Sequence, residues 1–132
     1  MKNVKNMEIN KNIDDWISRK AKSLQRRDRK KSGKIASVDE YRKAIKKAIE
    51  ESCGRDYYTG EKLDWHLITD EKVGRSKRFH NLPTIDHYNP QKKDLDFKIC
   101  SWVVNDMKSD LQPEEFIKKI EKIIKYWKIK SS

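Results

Sequence analysis

Two short stretches of the sequence carry side chains that are suited to catalysis. Residues 84–90 contain the adjacent pair Asp86 and His87, and Asn105 and Lys108 follow after a further segment. A carboxylate and an amide carbonyl are hard oxygen ligands, which suit Mg²⁺ or Mn²⁺. An imidazole with an ordinary pKa of roughly 6.5 accepts a proton from water near neutral pH, and a lysine one helical turn after Asn105 can hold a phosphate oxygen. Together these groups meet the needs of phosphodiester hydrolysis at one metal ion.

The same residues also have a plainer interpretation. Neighbouring side chains of a strand point to opposite faces, so His87 points away from Asp86 unless the backbone bends near Asn89 and Pro90. A histidine at the end of a strand is commonly a structural or surface residue, and Asn-x-x-Lys alone says little. The residues by themselves therefore leave open a nuclease and a non-catalytic nucleic-acid binder.

Composition indicates the kind of partner. The chain of 132 residues is long enough for one domain with a real core. Its formal net charge of +11 favours a polyanionic partner, with nucleic acid first and an anionic membrane as the weaker alternative. No apolar run approaches the ~20 residues of a membrane span, and the N-terminus lacks the apolar core of a secretory signal, so we expect a cytoplasmic protein without a membrane partner. Cys53 and Cys100 form no Cys-x-x-Cys pair, which argues against a disulfide framework.

Residues 1–52 are predicted to form a basic N-terminal helical arm, either part of the same compact unit or loosely attached. After a loose tail, a first helix begins with Asn12 as its cap and ends near Gly33, and apolar residues recur on one side of it. Its other sides are strongly basic, and such like charges repel one another unless phosphates neutralise them. A solvated basic face with no specific role is the alternative. The candidate nucleic-acid contacts on this helix are Arg19, Lys22, Arg26, Arg27 and Lys30.

A second helix follows the capping box Ser37-Val38-Asp39-Glu40, carries apolar residues at helical spacing on one face, and ends around Cys53-Gly54. Residues 53–132 then form the second predicted unit. Residues 56–65 have the pattern of a strand, a tight turn and a strand. Residues 69–81 are predicted to be a basic loop in which Arg75, Lys77 and Arg78 can clamp a phosphodiester backbone. Strands are expected at residues 82–86 and 97–99.

Two further helices complete the expected order of elements. Ser101 is placed to cap the first of them, with Asn105, Lys108 and Ser109 on the side away from the core. The residues predicted to face the core are Val103, Val104, Met107 and Leu111. The last helix starts at Gln112-Pro113-Glu114-Glu115. Its predicted buried stripe consists of Phe116, Ile117, Ile120, Ile123, Ile124 and Trp127.

Three ordered segments resemble the signature of HNH endonucleases. They are Tyr58-Thr59-Gly60-Glu61-Lys62-Leu63, Thr84-Ile85-Asp86-His87-Tyr88-Asn89-Pro90, and Ile99-Cys100-Ser101-Trp102-Val103-Val104-Asn105-Asp106-Met107-Lys108, with Glu115-Phe116 after them. The match covers about residues 53–120, and the first fifty residues match no family that we can name. The resemblance implies an α+β fold with a ββα-metal core, two short antiparallel strands and a helix around one divalent cation. Here two N-terminal helices and a C-terminal helix flank that core.

The same resemblance implies a role for each candidate residue. Asp86 is the expected metal ligand, His87 the general base and Asn105 the second protein ligand, while Lys108 lies near the phosphate. The expected cofactor is Mg²⁺, with Mn²⁺ as an alternative, and the expected products carry 5′-phosphate and 3′-hydroxyl ends.

The sequence also departs from the family pattern. The family's middle asparagine, which braces the loop and orients the histidine, should lie near Asp96 or Phe97, and neither is asparagine. Either Asn89 or Asp94 is the expected substitute for this asparagine. The paired cysteines that bind structural zinc in many members are missing, and we do not expect zinc. The substitutes for them have irregular spacing, and they are Cys53, His66, His80 and Cys100.

These features predict a metal-dependent endonuclease acting on double-stranded DNA. A non-catalytic nucleic-acid-binding module that keeps the ββα frame is the main alternative, and an adaptor whose basic helix docks on an acidic protein is a weaker one. The sequence leaves open the choice of DNA or RNA, nicking or double-strand cleavage, the base preference, the biological role and whether the protein forms a homodimer.

Overall fold

The computed structural model describes residues 7–32, 36–70, 81–90 and 95–131. Within these ranges the chain forms four α-helices and one two-stranded antiparallel sheet, a mixed α and β architecture. The elements, in chain order, are α1 (Lys11–Ser32), α2 (Val38–Ser52), a 3-10 helix (Trp65–Leu67), β1 (Pro83–His87), β2 (Phe97–Ser101), α3 (Trp102–Lys108) and α4 (Pro113–Ser131).

Local capping explains where the first two helices begin. The side-chain oxygen of Asn10 accepts a hydrogen bond from the Ile13 amide at 2.9 Å, so Asn10 caps α1, and the prediction of Asn12 is wrong. The predicted capping box of α2 is confirmed, because the Ser37 hydroxyl accepts from the Glu40 amide while the Glu40 carboxylate accepts from the Ser37 amide.

The end of α2 requires a glycine. Cys53 adopts the left-handed conformation that closes the helix, and Gly54 follows with φ of 77°. A Cβ atom on Gly54 would lie 2.7 Å from the Met7 sulfur. The Gly54 carbonyl accepts a hydrogen bond from the Trp65 indole at 2.9 Å, which ties the 3-10 helix to this turn.

One hydrophobic core joins α1 and α2 to the sheet. The apolar stripes predicted for these two helices are confirmed, and they pack against the face of the sheet that carries Ile85, Phe97 and Ile99. The buried residues of the stripes are Ile13, Trp16, Ile17, Ala21, Leu24, Tyr41, Ile45, Ala48 and Ile49. The apolar side chains of the basic arm and of the sheet are therefore buried from water in one shared core.

The strand register decides which side chains share a face. Ile85 lies opposite Ile99, and His87 lies opposite Phe97, with ring centroids 5.0 Å apart. Because side chains alternate along a strand, His87 is on the face that packs against α1 and α2, and Asp86 is on the other face. β1 runs to His87, one residue beyond the predicted end.

The prediction of a strand, turn and strand over residues 56–65 is wrong. The segment has only an isolated bridge between Arg55 and Lys62, and Trp65 begins the 3-10 helix. The Asp56 carboxylate accepts hydrogen bonds from the amides of Tyr58 and Thr59, and these bonds hold a tight turn instead of a ladder. The Tyr57 amide donates to the Ile99 carbonyl at 2.8 Å, which attaches the turn to β2.

The two C-terminal helices differ from the prediction in what they bury. In α3, Val104 is buried as predicted, and Leu111 just after the helix is half-buried. Val103 is exposed, Met107 is 54% exposed and Lys108 is buried, so the predicted core face is wrong at these three residues. In α4, Phe116 is buried and Ile120 half-buried, but every residue from Glu121 to Ser131 is exposed. The predicted buried stripe is therefore wrong at Ile117, Ile123, Ile124 and Trp127, the last of which is 59% exposed.

Candidate active site

The carboxylate of Asp86 is the centre of a buried polar cluster. Asp86 is 3% exposed, and its Oδ1 lies 3.2 Å from the Nζ of Lys108, which has no exposed surface. Its Oδ2 accepts a hydrogen bond of 2.5 Å from the Tyr58 hydroxyl. The Lys108 ammonium also donates to the His87 carbonyl at 3.4 Å. A cation from α3 and a hydroxyl from the 56–60 turn thus compensate the buried charge on β1.

Burial controls the proton affinities in this cluster. Loss of solvent raises the pKa of Asp86, while the hydrogen bond from Tyr58 and the charge of Lys108 lower it. Burial and the neighbouring carboxylate raise the pKa of Tyr58 far above its ordinary value. The Tyr58 hydroxyl therefore keeps its proton at neutral pH and acts as a donor to Asp86.

Asp56 holds the parts of this cluster in place. Its Oδ1 fixes the Tyr58 amide at 2.8 Å, and its Oδ2 accepts from the Ser101 amide at 2.8 Å. Ser101 in turn caps α3, since its hydroxyl accepts from the Val104 amide. One buried carboxylate therefore connects the turn that carries Tyr58 to the helix that carries Lys108. We did not predict this role, although an aspartate before a Thr-Gly turn is a typical signal for such side-chain to backbone bonds.

His87 lies in a different environment on the opposite face of β1. Its Nε2 atom is buried and faces Asp28 Oδ1 on α1 at 3.3 Å, an ion-pair distance without the alignment of a hydrogen bond. The other carboxylate oxygen of Asp28 accepts a hydrogen bond of 2.7 Å from the Tyr41 hydroxyl on α2. The side chain of His87 is 32% exposed, so water can reach part of it.

The tertiary structure brings together some of the predicted site residues. Lys108 meets Asp86 on the buried side of α3. The prediction had placed Lys108 on the exposed side of this helix. Asn105 is half-buried on α3, one helical turn before Lys108. His87 faces away from Asp86, as the alternation rule predicts for an unbent strand.

Apart from the buried Lys108, the predicted nucleic-acid contacts fall into two groups. Those on α1 are all exposed, and they are Arg19, Lys22, Arg26, Arg27 and Lys30. Arg75, Lys77 and Arg78 lie outside the described residues, as do His80 and the proposed loop brace Asp94. Asp28 was missed as a site residue, although it is the only acid in the basic run from Arg19 to Lys34.

The oxygen donors of Asp86 and Asn105 suit a hard divalent cation, provided that the cation can displace the Lys108 ammonium from Asp86. Both offer oxygen, and Mg²⁺ commonly binds one or two protein ligands and keeps several waters. The described residues contain no group of three or more His, Cys, Asp or Glu side chains that could hold a metal. The Lys108 ammonium already compensates Asp86 Oδ1. A cation that binds Asp86 must therefore take the place of this ammonium.

Comparisons with protein-family models, with curated proteins and with solved structures found no match for this chain. A functional assignment accordingly rests on its own residues and geometry. In the described part of the chain, no helix is both long enough and apolar enough to cross a membrane.

Proposed function

We propose that this protein is an HNH-type endonuclease that hydrolyses DNA with the help of one divalent cation, and that β1, β2 and α3 are its ββα-metal core. The observation that carries the proposal is the contact between Asp86 and Lys108, which lies one helical turn after Asn105 on α3. Residues 86 and 108 are 22 positions apart, yet Lys108 Nζ lies 3.2 Å from Asp86 Oδ1. The order of strand, strand and helix brings Lys108 back to the strand that carries Asp86.

Each residue of the unit has a chemical task in this proposal. Asp86 and Asn105 would hold Mg²⁺, or Mn²⁺ as the alternative, and the bound ion would supply positive charge to the scissile phosphate and the leaving oxygen. His87 would accept a proton from the attacking water, and its partial exposure leaves the ring accessible to that water. Because His87 and Asp86 face opposite sides of β1, this role requires the scissile phosphate to lie at the end of the strand, where His87 is the last residue. Lys108, once displaced from Asp86, is one helical turn from Asn105 and can pair with a phosphate oxygen.

The basic face of α1 supports a polyanionic substrate. Asp28 contacts His87, so the adjacent Arg27 and the nearby Arg26 and Lys30 are anchored close to the end of β1. Their side chains are exposed. Double-stranded DNA that reaches His87 would therefore meet these cations at its phosphates.

A plasmid-nicking assay tests the proposal. Supercoiled DNA incubated with Mg²⁺ or Mn²⁺ should be converted to the nicked form, and EDTA should abolish the conversion. His87→Ala should lower the rate by at least about 10²-fold, because a general base contributes on this order. His66→Ala is the matched control, since His66 is exposed on the 3-10 helix, and it should leave the rate unchanged. Cleavage that survives EDTA or the loss of His87 would contradict the mechanism.

One observation favours a second function, a nucleic-acid-binding module without catalysis. The Lys108 ammonium occupies a cation position at Asp86, and the pair is buried as a structural ion pair would be. This alternative predicts DNA binding that weakens steeply with added salt and no cleavage with any divalent metal. Binding and nicking measured on the same preparation separate the two functions.

A further inference from the structure

We propose that Asp28 of α1 is the positioning residue for His87, and that it takes the role of the loop asparagine that this sequence lacks. This inference deepens the proposed nuclease function and rests on it for its catalytic meaning. The contact itself is a property of the fold, so it can be tested without DNA or metal.

The first support is the position of the buried nitrogen of His87. Nε2 has no exposed surface, so its partner must come from the protein, and the carboxylate of Asp28 lies 3.3 Å from it. The Phe97 ring packs beside the imidazole at 5.0 Å and limits its rotation. A small turn of the carboxylate completes a hydrogen bond between Nε2 and Oδ1.

The second support is that a hydrogen bond from Tyr41 fixes the orientation of the Asp28 carboxylate. Tyr41 Oη donates to Asp28 Oδ2 at 2.7 Å, and Tyr41 is fully buried against Phe97. Burial and the hydrogen bond raise the pKa of Tyr41, so its hydroxyl remains a donor at neutral pH. With Oδ2 committed to Tyr41, Asp28 presents Oδ1 to His87.

This arrangement has a definite chemical consequence. A carboxylate at Nε2 favours the tautomer that carries its proton on Nε2, which leaves the Nδ1 lone pair to accept a proton from water. The hydroxide so formed attacks phosphorus, the bond to the 3′ oxygen breaks, and the leaving oxygen takes a proton from solvent. The resulting imidazolium lies beside a negative charge until it releases its proton to water. Helix α1 is therefore part of the catalytic unit.

Substitution of Asp28 by asparagine gives a sharp test. The Tyr41 hydroxyl will hold the amide oxygen of the new side chain, so the amide NH₂ group will face His87 Nε2. An NH₂ donor at that place favours the opposite tautomer, with the proton on Nδ1. In the background of Asp28→Asn, Tyr41→Phe releases the amide and should restore the proton to Nε2.

¹⁵N NMR of histidine-labelled protein measures the tautomer directly. The chain has three histidines, and the variants His66→Gln and His80→Gln assign the signals. The spectra are recorded at increasing pH until the histidine signals stop changing, so that the neutral imidazole is observed. The wild type should show a proton on Nε2 of His87, Asp28→Asn should move it to Nδ1, and the double variant should move it back. Asp14→Asn, which removes an exposed acid from the same helix, should change nothing.

The nicking assay adds the catalytic consequence. Asp28→Asn should lower kcat by at least about 10²-fold with little change in KM, because it disables the base but touches no phosphate. The proposal is overturned if wild-type His87 carries its proton on Nδ1, a result that does not depend on any variant folding, or if Asp28→Asn folds and leaves the tautomer unchanged. If the tautomer switches as expected while the wild type cuts no DNA, the positioning contact stands and the nuclease function fails.

Discussion

Asp86 and His87 are neighbours in sequence, yet β1 places their side chains in surroundings of opposite character. Asp86 is almost completely buried, and each of its carboxylate oxygens has a partner within 3.2 Å. His87 is about one third exposed, and its carboxylate neighbour Asp28 is itself 20% exposed. On each face an aspartate lies between a tyrosine hydroxyl and a nitrogen base: Asp86 with Tyr58 and Lys108 on one face, and Asp28 with Tyr41 and His87 on the other. Only the Asp86 face excludes water.

The two faces should therefore contribute differently to the stability of the fold and to the access of water. A buried ion pair contributes little when intact, but it costs several kcal/mol when one partner is removed, because a bare charge is left in a dry place. A partly exposed pair loses less, because water replaces the missing partner. The Asp86 face should therefore dominate the stability of the fold, while the His87 face remains open to a reacting water.

The largest expected effect comes from removing the buried cation. Lys108→Met should lower the free energy of unfolding by about 3–5 kcal/mol, because Asp86 then remains buried without its ammonium. Urea denaturation followed by circular dichroism measures the change. Lys128→Met on the exposed part of α4 is the matched control, and it should change stability by no more than about 0.5 kcal/mol. Equal effects of the two substitutions would show that the buried Asp86–Lys108 pair does not dominate the stability of the fold.

A double variant sharpens the same point. Asp86→Asn together with Lys108→Met removes the charge that Lys108→Met leaves uncompensated. It should be more stable than the sum of the two single effects predicts, with a coupling of about 0.5–3 kcal/mol. Strict additivity would show that the two side chains do not act as a pair.

The two tyrosines provide a smaller and more direct test of the two faces. Tyr58→Phe should cost about 1–3 kcal/mol, because a buried carboxylate oxygen loses its donor. Tyr41→Phe removes the equivalent bond to the partly exposed Asp28, and it should cost only about 0.5–1.5 kcal/mol. Thermal unfolding of both variants beside the wild type gives the order. A larger effect at Tyr41 would reverse our view of which face excludes water.

Alkaline pH should reveal the smallest difference. The pKa of Tyr58 is raised in the folded protein by burial and by Asp86, whereas a tyrosine in the unfolded chain titrates at about 10. The stability that this group contributes is fully present below about pH 10, and it is lost as the pH rises further and the unfolded chain gives up its proton first. Unfolding free energies measured on both sides of pH 10 should fall less steeply for Tyr58→Phe than for the wild type. An unchanged slope would mean that Tyr58 is not held as a donor.

Sequence patterns predicted the parts of the fold that depend on local chemistry. The apolar stripes of α1 and α2 and the Ser37–Glu40 capping box follow from residue spacing within a single helix, and the structure confirms them. The predicted bounds of β1 and β2 were within two residues of the observed ones, and the alternation rule already separated Asp86 from His87.

The orientation of α3 could not be predicted from its own residues. Hydrophobicity alone assigned Val103 and Met107 to the core and Lys108 to the surface. The structure keeps Val104 inward as predicted but turns Lys108 inward in place of Val103 and Met107, because Asp56 fixes the Ser101 amide at the start of the helix and Asp86 attracts the ammonium at its end. A helical wheel has no information about carboxylates supplied by other segments.

The sequence by itself determined the net positive charge, the apolar faces of α1 and α2, the capping box of α2, and the set of side chains from which a site can be built. The tertiary structure alone decided which of those side chains meet: Lys108 with Asp86 across 22 positions, and His87 with Asp28 from a helix that precedes the matched segments. The physical reason is range. Capping and periodicity act within a few residues, whereas the pairing of buried charges depends on where the low-dielectric core brings distant segments together.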